Sequence, residues 1–123
     1  MSAKPGRAFT SAPGRRLRRT PRYRSSFPVR VKLLAAGRYE SLQAHCKDLS
    51  EAGIGVLLAA ELASGEVVSL NFTLPGLPIP WEVRSVLRHR RGYHYGFEFF
   101  SLTSEQTGVL KQLIDGLERA DFD

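Results

Sequence analysis

The stretch KDLSEAGIGV, residues 47–56, sets Asp48, Ser50 and Gly53 among apolar neighbours. A strand running through a core has no reason to interrupt itself this way, so these residues decide how the flanking segments are joined. Asp48 and Ser50 are two positions apart and face the same side of an extended backbone. Gly53 permits either a positive φ or the close approach of another group to the backbone. Two readings follow: an Asx-type turn closed by a glycine, or a strand end whose side chains converge on a ligand.

The segments on either side have strand periodicity. FPVRVKLLAAG puts Phe27, Val29, Val31 and Leu33 on one face and Arg30 and Lys32 on the other. After a turn at Gly37, RYESLQAHCKDLS alternates through Tyr39, Ser41 and Leu42 if a bulge is allowed for. GIGVLLAAEL gives a third run, and ASGE at 63–66 is a turn signal. VVSLNFTLPG aligns Val68, Leu70, Phe72 and Leu74 before Pro75, Gly76, Pro78 and Pro80 end it. WEVRSVLRHRRG and YHYGFEFFSL form a hairpin turning near Arg91–Gly92. About six strands at these intervals suit a small antiparallel barrel. The last segment has helical spacing instead, with Val109, Leu110, Leu113, Ile114 and Leu117 on one stripe. Thr103 and Gln106 offer a capping box, and the helix is expected to cover one barrel opening.

Composition bounds the rest. A chain of 123 residues, 42% apolar, makes one domain with a real core. The single cysteine, Cys46, fits a reducing compartment. The start has no apolar block behind its charges, and the longest apolar run, AGIGVLLAA, falls far short of the ~20 residues of a membrane span. A soluble cytoplasmic protein is expected. Residues 1–24 carry eight of the 18 Lys and Arg and none of the 12 Asp and Glu, so the remainder is net −2. The basicity therefore belongs to an N-terminal arm rich in Pro and Gly, expected to be flexible when nothing holds it.

Enzyme chemistry has little support. His45 and Cys46 are neighbours on a strand and point to opposite faces, so they make no thiolate–imidazole couple. His89 and His94 flank a hairpin and can approach one another, but without carboxylate or thiolate partners they make a poor metal site. The acids are scattered singly, and no phosphate-binding glycine loop is present. No catalytic residue, metal or cofactor is expected. RRTPR, residues 18–22, carries the other signal. Arg18 and Arg22 stand just before the first strand; arginine suits bidentate contact with phosphate and stacking on a base. Pro21 favours a hooked rather than a helical arm.

Together these residues resemble the PilZ domain, a bacterial receptor module for the second messenger cyclic di-GMP. That family carries RxxxR before its first strand and [D/N]xSxxG at the junction of its second and third strands. Here these read RRTPR (18–22) and DLSEAG (48–53), in the family's order and spacing. The resemblance implies a mainly β protein: a six-stranded antiparallel, split β-barrel with a C-terminal α-helix and a flexible basic N-terminal arm. The chain then divides into a tail, 1–14, and a domain, 15–123, made of an arm (15–26), a barrel (27–101) and a helix (103–119).

The resemblance also implies a ligand and roles. Arg18 and Arg22 would hold phosphate oxygens and guanine edges or faces, with Arg19 as helper. Asp48 would accept from a guanine Watson–Crick edge, Ser50 would add a hydroxyl contact and Gly53 would let the loop approach the base. Arg15 and Arg19 also satisfy RxxxR, but Arg18 and Arg22 lie closer to the first strand. Arg88 and Arg90 are secondary candidates. Leu17, ahead of the first arginine, offers packing instead of another stacked cation and favours one ligand per chain. Binding would close the arm over the barrel and change the surface shown to a downstream protein partner. Two alternatives stand beside this: a PilZ-like adaptor that binds protein and no nucleotide, and a nucleic-acid binder using the arm. The net acidity of residues 25–123 argues against the second.

Overall fold

A computed structural model of the protein describes residues 20–119. Six strands and a helix follow in order: β1 (Tyr23–Ala35), β2 (Arg38–Leu49), β3 (Gly53–Leu57), β4 (Val67–Phe72), β5 (Trp81–Arg91), β6 (His94–Phe99) and α1 (Ser104–Asp115). Tail residues 1–14 and the first part of the expected arm, residues 15–19 with Arg15, Leu17, Arg18 and Arg19, lie outside the described residues.

The strands close into an antiparallel barrel in the order β1-β2-β3-β6-β5-β4, with β4 pairing back onto β1. The alternating residues do what their spacing requires. Phe27, Val29, Val31 and Leu33 from β1 face inward, as do Val68, Leu70 and Phe72 from β4 and Leu74 just beyond it, all buried in one core. Leu110 and Ile114 of α1 join that core, and Leu113 and Leu117 pack against it. The helix starts on the expected capping box: Thr103 Oγ1 accepts from Gln106 N–H and Gln106 Oε1 accepts from Thr103 N–H, both at 3.0 Å. Past the helix the chain runs back to β1, where Arg24 N–H donates to the Glu118 carbonyl at 2.7 Å and Tyr23 bridges Arg119.

Four details depart from the sequence reading. The helix, read as 103–119, spans Ser104–Asp115 and ends at Gly116, whose N–H donates to the Leu113 carbonyl at 3.1 Å. Residues 23–26, read as arm, already belong to β1. Pairing with β2 is irregular between Arg24 and Phe27, which breaks the alternation and hides the strand's start. On β2 the inward set is Leu42, Ala44 and Cys46, not Tyr39 and Ser41, and the bulge falls lower, between Cys46 and Asp48. The third run stops at Leu57, because the Tyr95 hydroxyl holds the following segment as a loop, donating to the Ala60 carbonyl and accepting from Leu62 N–H.

One non-sequential pairing, β3 with β6, decides how closely the wall can close. Gly53 opposes Glu98 there, and a Cβ on Gly53 would stand 2.1 Å from the Phe97 carbonyl oxygen. Its φ is not positive, so of the two uses open to this glycine the structure takes the close approach. Gly108, on the exposed side of α1, has nothing within 4 Å of its would-be Cβ. The same substitution therefore acts with opposite sign at the two sites. In urea unfolding, Gly108→Ala should stabilise the protein by about 0.5–1 kcal/mol. Gly53→Ala should destabilise it by about 1–3 kcal/mol or more, since backbone must move to admit the methyl.

Candidate functional site

Four strands contribute one lateral row to the outside of the barrel. Asp48 on β2 pairs with Gly55 on β3, Gly55 pairs with Gly96 on β6, and Gly96 pairs with His89 on β5. The two central positions have no side chain, and the outer two lean over them. A Cβ on Gly55 would meet Asp48 Oδ1 at 2.6 Å, and one on Gly96 would meet His89 Nε2 at 2.2 Å. Both outer residues directly follow a bulge, between Cys46 and Asp48 on β2 and between Leu87 and His89 on β5. Bulges of this kind re-aim a side chain that regular pairing would point elsewhere.

Arg22 spans this row. Its Nη1 donates to Asp48 Oδ1 at 3.2 Å, and its Nη2 lies 3.0 Å from His89 Nε2. His94 Nε2 stands 3.4 Å from the other Asp48 oxygen. The pair is half-buried, with 24% of the Arg22 side chain and 14% of the Asp48 side chain exposed, so solvent only partly screens it. Thus the last arginine of RRTPR and the aspartate of DLSEAG, 26 residues apart, are in direct contact.

Beside the row lies a cleft of about 400 Å³, walled by Thr20 and Arg22, by Ser50 and Ala52–Ile54 of the turn, and by Arg88, His89 and Gly96–Glu98. The turn is folded by Ser50. Its Oγ accepts from Ala52 N–H at 3.1 Å and from Gly53 N–H at 3.0 Å, and donates to the Gly53 carbonyl at 3.3 Å. That engages the hydroxyl's one donor and both acceptor sites. Of the two readings of DLSEAG, a serine-based turn is present, and Asp48 takes no part in it. Ser50 shapes the cleft wall rather than offering a free hydroxyl to it.

The secondary candidates separate. Arg88 lines the cleft and pairs with Glu98 at 2.6 Å. Arg90 turns away, donating to the Gly92 carbonyl at 2.7 Å and lying 5.2 Å from the Tyr95 ring centre, so it belongs to the hairpin end. A larger hollow of about 470 Å³, between β1, β2 and β4, holds none of the candidate residues. Sequence reasoning missed His89 and His94 as members of the site. They do converge on one place, but through Arg22 and Asp48. The carboxylate that the metal argument found lacking is present, although among the described residues no group of three or more His, Cys, Asp and Glu is placed to hold a metal ion.

His45 and Cys46 part as expected. His45 is exposed and lies 2.6 Å from Ser26 Oγ, whereas Cys46 is fully buried and donates to the Asp48 carbonyl at 3.4 Å. Burial first, and the Asp48 charge second, push the Cys46 thiol far above its ordinary pKa.

A model of the PilZ domain matches residues 16–116. The chain belongs to the PilZ domain family. This PilZ domain also resembles solved ones in its fold. Bacillus subtilis inhibitor of motility (MotI/DgrA) aligns with a TM-score of 0.65 at 19% identity, over 81% of this chain and 50% of that one. The PilZ domain of YcgR from Escherichia coli, solved with c-di-GMP, aligns at 0.61 and 20% identity over 81% and 90%. The PilZ domain of CeSA from a cellulose synthesizing bacterium gives 0.57 and 21% over 77% and 95%. The chain thus spans half the length of the MotI chain and nearly all of the isolated domains. No curated protein matches it in sequence. Among the described residues no helix is long and apolar enough to cross a membrane.

The Cys46 environment gives a direct check on this geometry. The folded protein's thiol should stay unreactive toward an aromatic disulfide reagent at pH 8, and react within minutes once urea unfolds the barrel. Rapid reaction in the folded state would mean that the β2 bulge is open.

Proposed function

We propose that this chain is a non-enzymatic receptor for cyclic di-GMP that passes the signal to a protein partner in the cytoplasm. The observation that carries the reading is the contact between Arg22 and Asp48 at the edge of the cleft, which joins the family's two motifs in one site. Membership of the PilZ family supports the ligand class, since a relative in that family was solved with c-di-GMP.

In this reading the two motifs exchange partners when the ligand arrives. Arg22 leaves Asp48 for a phosphate oxygen or a guanine edge, and Asp48 accepts from the N–H groups of a guanine Watson–Crick edge. Arg18 supplies the second guanidinium and Arg19 assists; Arg15 with Arg19 is the competing register. The Ser50 turn and Gly53 let the backbone come close to the base, and Arg88 adds a cation at the wall. Leu17 keeps the stoichiometry at one ligand per chain. Each charge-assisted contact contributes about 1.5–3 kcal/mol, less the cost of ordering the arm and of giving up the Arg22–Asp48 pair. Residues 1–14 form a tail outside the domain, and the arm from residue 15 folds over the barrel to change what the partner meets.

A calorimetric titration with cyclic di-GMP, with GMP and duplex DNA as controls, tests the reading. The dinucleotide should bind at one per chain, and Arg22→Ala and Asp48→Ala should each weaken it at least about tenfold, the loss of one such contact, without unfolding the domain. Wild-type affinity in both variants would move the site elsewhere. Tight, salt-sensitive binding of DNA instead would favour a nucleic-acid role for the arm, and no binding of any of the three would favour a pure protein adaptor.

A further inference from the structure

We propose that His94 is a positioning residue for base recognition: it holds one oxygen of Asp48, fixes the plane of that carboxylate and thereby sets a preference for guanine. The inference rests on the reading of Asp48 as acceptor for a guanine edge, and adds to it a residue that acts through Asp48.

Register explains how a β6 residue reaches a β2 side chain. His94 pairs with Leu57, while Gly96 pairs with Gly55, which pairs in turn with Asp48. His94 and Gly96 share the outer face of β6, so His94 stands diagonal to Gly55. To meet Asp48 its ring must cross β3, and position 55 puts no side chain in the way. His94 Nε2 ends 3.4 Å from Asp48 Oδ2. A carboxylate paired with a guanidinium only accepts, so Nε2 carries the proton of this contact.

Three contacts then define the carboxylate. Gly55 lies beneath it: a Cβ there would stand 2.6 Å from Oδ1 and 2.7 Å from Oδ2, so both oxygens rest against this residue. Arg22 Nη1 holds Oδ1 at 3.2 Å, and His94 holds Oδ2. The terminal torsion of an aspartate is broad and roughly two-fold, so without partners the carboxylate plane would turn. In the proposed exchange Arg22 gives Oδ1 up to the ligand. Among the described residues, His94 is then the side chain that still donates to the carboxylate, and with the Gly55 floor it keeps the plane fixed.

A fixed plane matters because guanine presents two donors side by side, N1–H and the 2-amino group. A carboxylate lying in the plane of the base accepts both at once, one on each oxygen, and such bidentate pairing carries geometric specificity as well as energy. Oδ2 has lone pairs for His94 and the base together. A carboxylate free to turn keeps one contact at a time, and tells guanine poorly from a purine that lacks the amino group. At 33% exposure the His94 side chain lies outside the barrel core, so its effect falls on selectivity more than on the fold.

Calorimetry on the full chain with cyclic di-GMP and its hypoxanthine analogue, which lacks the 2-amino groups, tests this. Wild type should prefer cyclic di-GMP about tenfold, the worth of one charge-assisted contact. His94→Ala should lose most of that preference by binding cyclic di-GMP about tenfold more weakly, while holding the analogue as wild type does. His94→Gln, whose amide places an N–H near the position of Nε2, should recover the preference. A preference unchanged in His94→Ala, an equal loss of both ligands, or no recovery in His94→Gln overturns the proposal and leaves the receptor reading intact. So does a wild type that binds both ligands alike. If wild type binds neither, the receptor reading falls and this inference with it.

Discussion

The closeness of β3 and β6 is the constraint from which the outer features of this barrel derive. These strands are not neighbours in sequence, and their pairing joins the first half of the wall to the second. Gly53 brings one end of the pair to a separation that no side chain would allow, and Gly55 opposite Gly96 leaves its middle bare. A bare seam on a barrel exterior is unusual, because strand positions are favoured by residues with side chains to pack. Here Asp48 and His89 lean inward from the flanking strands and occupy the room the glycines vacate. Arg22 then closes the row from outside, so a backbone constraint becomes a charged site.

The electrostatics of that site are self-neutralising. A half-buried guanidinium and carboxylate in contact are worth more to each other than a fully exposed pair, yet neither is wholly withdrawn from water. Such a pair can be exchanged at moderate cost, and each member retains a second partner in a histidine. Glu98 similarly balances Arg88 on the cleft wall. The wall residues are thus held in place by ion pairs that remain partly open to solvent.

Much of this was legible in the residues. Alternation at Phe27–Leu33 and Val68–Leu74 marked the inward faces because those strands lie regularly in the wall, and the helical stripe with its Thr103 cap marked α1. The pairing of RRTPR with DLSEAG was legible because two motifs at a characteristic spacing say more than either does alone. The histidines were not legible. Counting alternation fails across a bulge, and both Asp48 and His89 stand just beyond one. Ser50 was read as facing a ligand, since its two-residue offset from Asp48 implies a common face only if the backbone stays extended. The strand ends at Leu49, and the hydroxyl turns back onto its own turn. A glycine at 96, opposite nothing remarkable in the sequence, was the one trace of His89's position, and only the register reveals it.

The row also bears on how the protein reaches its folded state. Arg22 meets Asp48 across 26 residues and His89 across 67, and the floor between them needs β3 and β6 already joined. Contacts of such separation carry the largest loop-closure cost and form late in a topology-limited reaction. The β1–β2 and β5–β6 hairpins can each form from local sequence, but neither alone contains the row. A chain emerging from synthesis, or a barrel parted along the β3–β6 seam, has the residues without the site. Assembly of the row and completion of the barrel are therefore one event.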